Sequence, residues 1–279
     1  MGVIVKKPEL MEEMTVKEAG QAIKDGKVVL VPVGICEQHG FHLPLSTDIH
    51  NAVEISRRAS AESGAVVAPV LNYAFSGGTL PGTINISPPV VSLMIGEILT
   101  SLSQQGFKKI IIVLGHGGTE NEQAIKDGID SFLRKRLPDK SVTVALFLFW
   151  KLSEIFKKAF AEKDFHAGYM ETSLMLYWHP ELVKEPVVLD EPEILAMMRK
   201  DQDAYQVKEK PVDEPAVFPY ISQHPQIKVG VMGYPERASA ELGRKICAEA
   251  VGELARLIKR LMEVNDGKER REEGCVYRQ

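Results

Sequence analysis

At 279 residues and 31.0 kDa the chain is long enough to bury a sizeable core as one α/β domain or two small ones. Its composition, 44% hydrophobic and 26% charged with 22 glycines and 16 prolines, gives no sign of disorder or of a fibrous repeat. A net charge of −4 and a pI near 6.0 argue against a nucleic-acid-binding surface. Cys36, Cys247 and Cys275 lie too far apart for a disulfide framework or a cysteine-based zinc site. The first residues have no long apolar core, and no segment reaches the ~18 apolar residues of a membrane span. The expectation is a soluble, cytoplasmic protein without nucleic-acid or membrane partners.

Thr15-Val16-Lys17-Glu18 is a capping box that opens a short helix, which Gly26 closes. Val28-Val29-Leu30-Val31 then reads as a buried strand, ended by Pro32 and Gly34. The next loop delivers Glu37, His39, His42 and Asp48 within a short stretch. A core needs none of these groups, and burying one unpartnered costs ~2–7 kcal/mol. Glu37 and His39 two residues apart, followed by a carboxylate, suit a hard or borderline divalent cation with mixed O and N ligands. The ordinary alternative is an exposed polar loop, and two later segments weigh against it.

Ile49–Ser63 follows as a helix ending at Gly64, and Ala65–Val70 as a second strand. Phe75–Thr83 (FSGGTLPGT) is too rich in Gly and Pro for regular structure; its hydroxyls, Ser76 and Thr79, are candidate contacts for a polar substrate or merely solvated. Pro88 and Pro89 open a helix that ends at Gly106. Lys108–Leu114 has the continuous apolar run of a central parallel strand, followed by the turn Gly115–Gly118 (GHGG) and a helix running to Leu137. Val142–Phe149 reads as a fourth strand and Leu152–Ala161 as a helix. Residues 180–234 read as a long surface excursion, usually an interface or a lid. One long helix, Ala238–Val264, closes the fold, and 265–279 is a charged tail. The absence of a clear linker favours one domain over 1–279.

The alternation of helix and strand predicts a mainly parallel sheet covered on both faces, with any ligand beyond the carboxyl ends of its strands. The polar groups after the first and third strands fall at that edge. His116 is presented on a glycine turn that lacks the GxGxxG spacing or Walker lysine of a nucleotide loop. In Phe165–Leu176 (FHAGYMETSLML), His166 precedes a helix that carries Glu171 in its first turns. Glu171 there suits the helix dipole, but the two also form the carboxylate–imidazole pair that proton transfer near a metal requires.

The ordered blocks EQHG…HLPLSTD, GHGG and HAGYMETS resemble the creatininase (creatinine amidohydrolase) family, as does GVMGYPERASAELGRK over Gly230–Lys245. The resemblance runs from about Val28 to Ile258. It implies a three-layer α/β/α fold, a homo-oligomeric and often hexameric assembly, and a hydrolase with two divalent ions (Mn, Fe or Zn) per subunit. By it, Glu37, Asp48 and His116 hold one ion, while His39 and Asp48 hold the second with Asp48 shared. His166 falls on the catalytic histidine, the proton donor to the leaving group once metal-activated water attacks a carbonyl. Two departures stand out. Gly117 and Gly118 replace a tyrosine and a metal-binding glutamate, which leaves Glu171 or water to complete the second ion's ligands. Glu162 replaces a tryptophan that covers creatinine. The expected substrate is therefore a different small polar ring. Within the family the chain is most similar to the branch that opens the diketo-inositol 3-dehydro-scyllo-inosose, by C–C hydrolysis in inositol catabolism. The alternatives are an amidohydrolase acting on a cyclic amide or formamide, and a non-catalytic metabolite-binding member.

Overall fold

The computed structural model describes residues 7–135 and 142–263. Five parallel strands form the central sheet: β1 (Glu9–Leu10), β2 (Val29–Val33), β3 (Val66–Val67), β4 (Lys109–Leu114) and β5 (Thr143–Leu148), in the order β1-β3-β2-β4-β5. β2 and β4 are buried along their whole length and pair in register from Val29↔Ile110 to Val33↔Leu114. Such runs, apolar on both faces, are what a sheet covered by helices on both sides requires. The helices are α1 (Val16–Lys24), α2 (Thr47–Ser63), α3 (Pro88–Gln105), α4 (Thr119–Lys135), α5 (Phe149–Leu152), α6 (Glu154–Ala161), α7 (Tyr169–Trp178), α8 (Pro192–Met198) and α9 (Ala240–Glu263).

The chain leaves β2 toward β3 on one side and leaves β4 toward β5 on the other. Right-handed crossovers in opposite directions put α2 and α4 on opposite faces. α3 packs against α4, and α7 and α9 pack with α2, which completes a mainly parallel α/β fold with helices on both faces. β2 and β4 are therefore neighbours whose connections diverge. The crevice beyond their carboxyl ends is the place where such sheets accept ligands.

The capping box is present, with the Glu18 amide and the Thr15 side chain engaged, and Gly64 and Gly106 end α2 and α3 in the left-handed conformation. Several boundaries differ from expectation. The second strand is only Val66–Val67, because Pro69 has no N–H to continue the ladder, although Leu71 N still donates to Pro32 O at 3.0 Å. The fourth strand stops at Leu148, where α5 begins; Ser153 ends α5 and caps α6 through Phe156 N. β1, a two-residue edge strand, has too little sequence for a pattern. The excursion 180–234 is more than loop: it holds α8 and an antiparallel pair, β6 (Gln206–Glu209) with β7 (Tyr220–Gln223). Met198, Ile227 and Met232 bury themselves there in a small apolar cluster of their own. The end of the GHGG helix beyond 135, Val264 and the tail 265–279 lie outside the described residues. Among the described residues no helix is long and apolar enough to cross a membrane.

Candidate metal centre

Two glycines bring the site together. A Cβ on Gly34, just after β2, would stand 2.6 Å from Ile49 Cα, and one on Gly115, just after β4, would stand 2.0 Å from Asp48 O. Only bare backbone lets α2 enter flush against the sheet edge. That close approach is to the protein's own chain. α2 begins at Thr47, so Asp48 sits in its first turn, where the helix dipole favours a carboxylate. It lies between the loop after β2, which carries Glu37 and His39, and the turn after β4, which carries His116.

Asp48 faces two imidazoles at once. Its Oδ2 is 3.1 Å from His116 Nδ1, and its Oδ1 is 3.4 Å from His39 Nε2. Glu37 Oε2 lies 2.9 Å from the same His116 nitrogen, and Glu171 Oε2 lies 3.6 Å from His39 Nε2. The donors thus fall into two sets, Glu37–Asp48–His116 and His39–Asp48–Glu171, each with its ligand atoms within 4.8 Å of one another. A third grouping, Glu37–His39–His166, places His166 beside both. His39 Nδ1 donates to the Glu37 carbonyl at 3.2 Å, which leaves the Nε2 lone pair directed at the carboxylates. Glu37 Oε2, His39 Nε2 and His116 Nε2 are buried without a hydrogen-bond partner. Buried carboxylate oxygens gathered around His39 Nε2 and His116 Nδ1 fit a divalent cation with mixed O and N ligands.

The electrostatics run the same way. Burial draws the His39 imidazole down, yet the carboxylates of Asp48 and Glu171 outweigh it and hold its pKa well above the ordinary range. His116 is raised against burial by Glu37 and Asp48. Burial pushes Glu37 up, but His116 and then His166 bring it below the usual carboxylate range; Asp48 is likewise lowered against burial by His39 and His116. These groups stabilise each other's charged forms at the buried floor of a cleft.

The remaining candidate residues divide. His166 Nε2 donates to the Gln38 carbonyl at 2.9 Å, with the Gln38 side-chain nitrogen 3.0 Å away, and its ring centroid lies 4.3 Å from that of His39. Glu171 Oε2 accepts from Ala167 N at 2.7 Å. The Ser76 hydroxyl lines the cleft, donates to Glu37 Oε1 and accepts from Gly78 N, so it props a carboxylate. Thr79 is exposed and outside the cleft lining, with its amide donating to Gln223 Oε1 at 2.7 Å. His42 turns away from both sets toward Thr172 Oγ1, 3.0 Å distant. Gly118 has a steric reason: a Cβ there would stand 2.5 Å from His116 Nε2.

Sequence reasoning missed the residues that hold these groups in place. Asp164 is buried; its carboxylate accepts from the amides of Tyr169, Met170 and Tyr234, at 2.8–3.1 Å, and so caps α7. Burial pushes its pKa up to about 6 against those donors. Asp190 does the same for Lys228, Val229 and Gly230. A capping carboxylate ahead of α7 is a signal that the spacing Asp164-x-x-x-Gly168 carries; the partners of Asp190, some forty residues away, leave none. The cleft above the two sets has polar walls from Gln38, Gln202, Asp203, Tyr205 and Gln223, and an apolar side from Phe160, Phe165, Met198, Ile227 and Met232.

A parallel α/β fold with such a carboxylate–imidazole centre at its switch point defines a metal-dependent hydrolase class. The creatininase (creatinine amidohydrolase) family profile matches residues 12–258, and the chain belongs to that family. It is 31% identical over 250 residues to a mycofactocin precursor peptide peptidase of Mycolicibacterium smegmatis, covering 84% of this chain and 85% of the relative. It is 29% identical over 206 residues to the creatinine amidohydrolase of Pseudomonas putida (67% and 78%). To the 3-dehydro-scyllo-inosose hydrolase of Thermotoga maritima it is 23% identical over 265 residues (90% and 83%). A solved structure described as creatininase Mn superposes with a TM-score of 0.75 at 24% identity, over 92% of this chain and 100% of that one.

Proposed function

We propose that the chain hydrolyses a small polar carbonyl compound in the crevice between β2 and β4 with the help of two divalent ions, Mn, Fe or Zn. Glu37, Asp48 and His116 would hold one, and His39, Asp48 and Glu171 the other, with Glu171 standing in for the carboxylate that Gly118 lacks. The observation that carries this reading is Asp48, whose two oxygens face different imidazoles. Divalent ions there would supply Lewis acidity toward water and a carbonyl oxygen at neutral pH.

The chain's own residues do the rest. His166 lines the cleft, and its Nε2 is engaged by Gln38, whereas His39 Nε2 and His116 Nδ1 face carboxylates. That difference supports His166 as the proton donor to the leaving group, outside the ligand sets. Ser76 fixes the Glu37 carboxylate, and the Ala167 amide fixes that of Glu171. Met198, Ile227 and Met232 give the cleft an apolar side.

For the substrate we favour a ring diketone of the inosose type, opened at a C–C bond. The polar walls suit a polyhydroxylated ring. Glu162 is turned toward Arg237 and the Tyr169 hydroxyl, so no aromatic cover for creatinine stands at that position. The specific observation favouring a second reading, C–N hydrolysis, is that the peptidase and the creatinine enzyme are both nearer in identity than the inosose hydrolase. Elemental analysis and a panel of keto-inositols, creatinine, hydantoins, formamidopyrimidines and short peptides with added Mn²⁺ test this. Turnover of a keto-inositol with a mass gain of one water is the expected result. Turnover of an amide alone would move the assignment to the second reading, and absence of any bound transition metal would overturn both.

A further inference from the structure

The cleft above the metal centre is not alone. Beside it lies a second chamber lined by Trp150, and Gly117, Phe160 and Gln202 stand in the walls of both. The walls of the second chamber carry Lys126 from α4, Lys151 from α5 and Lys157 from α6.

The charges in this chamber do not balance. Lys126 and Lys151 converge on one carboxylate, Glu122, with Nζ–Oε1 distances of 2.5 Å and 2.7 Å. Two ammonium groups sharing one carboxylate leave one positive charge over, and like charges held so close repel unless another anion joins them. Lys157 finds its partner in Glu154, whose side chain is 79% exposed, a pairing that water and salt weaken easily. Lys126 and Lys151 are about half exposed (50% and 53%), so their free N–H groups are within reach of a ligand. Glu122 is buried, which fixes the pair in place.

We infer that the second chamber receives a single carboxylate carried by the substrate, held by Lys151 and Lys126 with its apolar or planar stem resting on Trp150. One excess charge matches a monoanion, and the indole beside it offers a flat apolar surface to the group that bears it. The reacting carbonyl and this carboxylate would then lie in adjoining chambers. A substrate that fills both chambers is an acid reaching beyond the reacting carbonyl, such as an acylated amino acid or a short peptide end. A keto-inositol carries no carboxylate and would fill only the metal end, so a carboxylate site here favours the second reading, C–N hydrolysis. This rests on reading the adjoining centre as the catalytic one.

Calorimetric titration of the metal-loaded full chain tests it without depending on turnover. Phenylacetate should bind about tenfold or more tighter than its neutral isostere phenylacetamide, and tighter than inorganic phosphate. Lys151→Gln should remove most of that advantage. Glu122→Gln, which deletes the competing carboxylate, should strengthen binding; a purely structural lysine–glutamate pair would yield neither change, and nor would an anion bound at the metals. Equal binding of acid and amide, tighter binding of phosphate, or no effect of Lys151→Gln would overturn the inference. Failure of the hydrolase reading would show separately, in metal content and in the substrate panel.

Discussion

The two ligand sets are built differently although they share Asp48. Glu37, Asp48 and His116 all come from the carboxyl edge of the sheet or from the helix seated on it, and all are buried. The other set takes His39 from that edge but Glu171 from α7, with a side chain 16% exposed. Glu171 reaches its place only because Asp164 caps α7, Ala167 bends back with φ 52°, and Met232 pairs with His166. One set is a property of the sheet. The other depends on a segment docked onto it, and on that ground should hold its ion less firmly.

Asp48→Ala strikes both sets and should reduce bound metal from about two equivalents to near zero, with activity at background, as read by elemental analysis and turnover. Gly115→Ala attacks the frame beneath them. With a Cβ forced against Asp48 O, a loss of ~3 kcal/mol or more in unfolding free energy is expected, together with loss of metal. Glu171→Gln should separate the sets: about one equivalent of metal is retained and the other is weakened by ~10–100-fold. Equal loss of both equivalents would show that the difference in construction has no energetic counterpart. Ser76→Ala should weaken only the first set, by the lower end of the same range, ~10-fold.

A finer test uses His42, which shares the β2 loop but belongs to neither set. Burial lowers its pKa to about 4 from an ordinary 6.5. Between those values the unfolded chain binds a proton that the folded chain does not, so stability present above pH 6.5 is lost as pH falls toward 4. Urea midpoints should therefore fall more steeply with acidification in the wild type than in His42→Gln.

Much of the sheet was legible because β2 and β4 are apolar on both faces, and only a covered parallel strand has that composition. Glu37, His39, Asp48 and His116 could be gathered at one edge from strand order alone. Their division into sets rested on resemblance, because no spacing says which oxygen of Asp48 faces which ring. Ser76 and Thr79 were legible as hydroxyls in a glycine-rich loop, but not the direction in which they point. Asp190 escaped because it binds main-chain amides that the fold brings from about 40 residues away, whereas Asp164 left a local trace in its cap of α7 but none of its third donor, Tyr234, 70 residues on. The buried Met198 and Ile227 escaped for a different reason: in a run dense with Pro, Lys and Glu, isolated apolar residues show no period.

The contact of α2 with Gly34 and Gly115 also bears on how such a chain can diverge. Any amino-acid replacement at either codon adds at least a methyl group to space already held by Asp48 and Ile49. Those two positions are closed to drift on steric grounds, whatever the substrate. The residues of 192–228 that line the cleft carry no such restriction, since they meet it with side chains from a helix, a hairpin and loops. Lineages could therefore exchange one substrate for another by rewriting this lining while the ion-holding frame passed unaltered from ancestor to descendant.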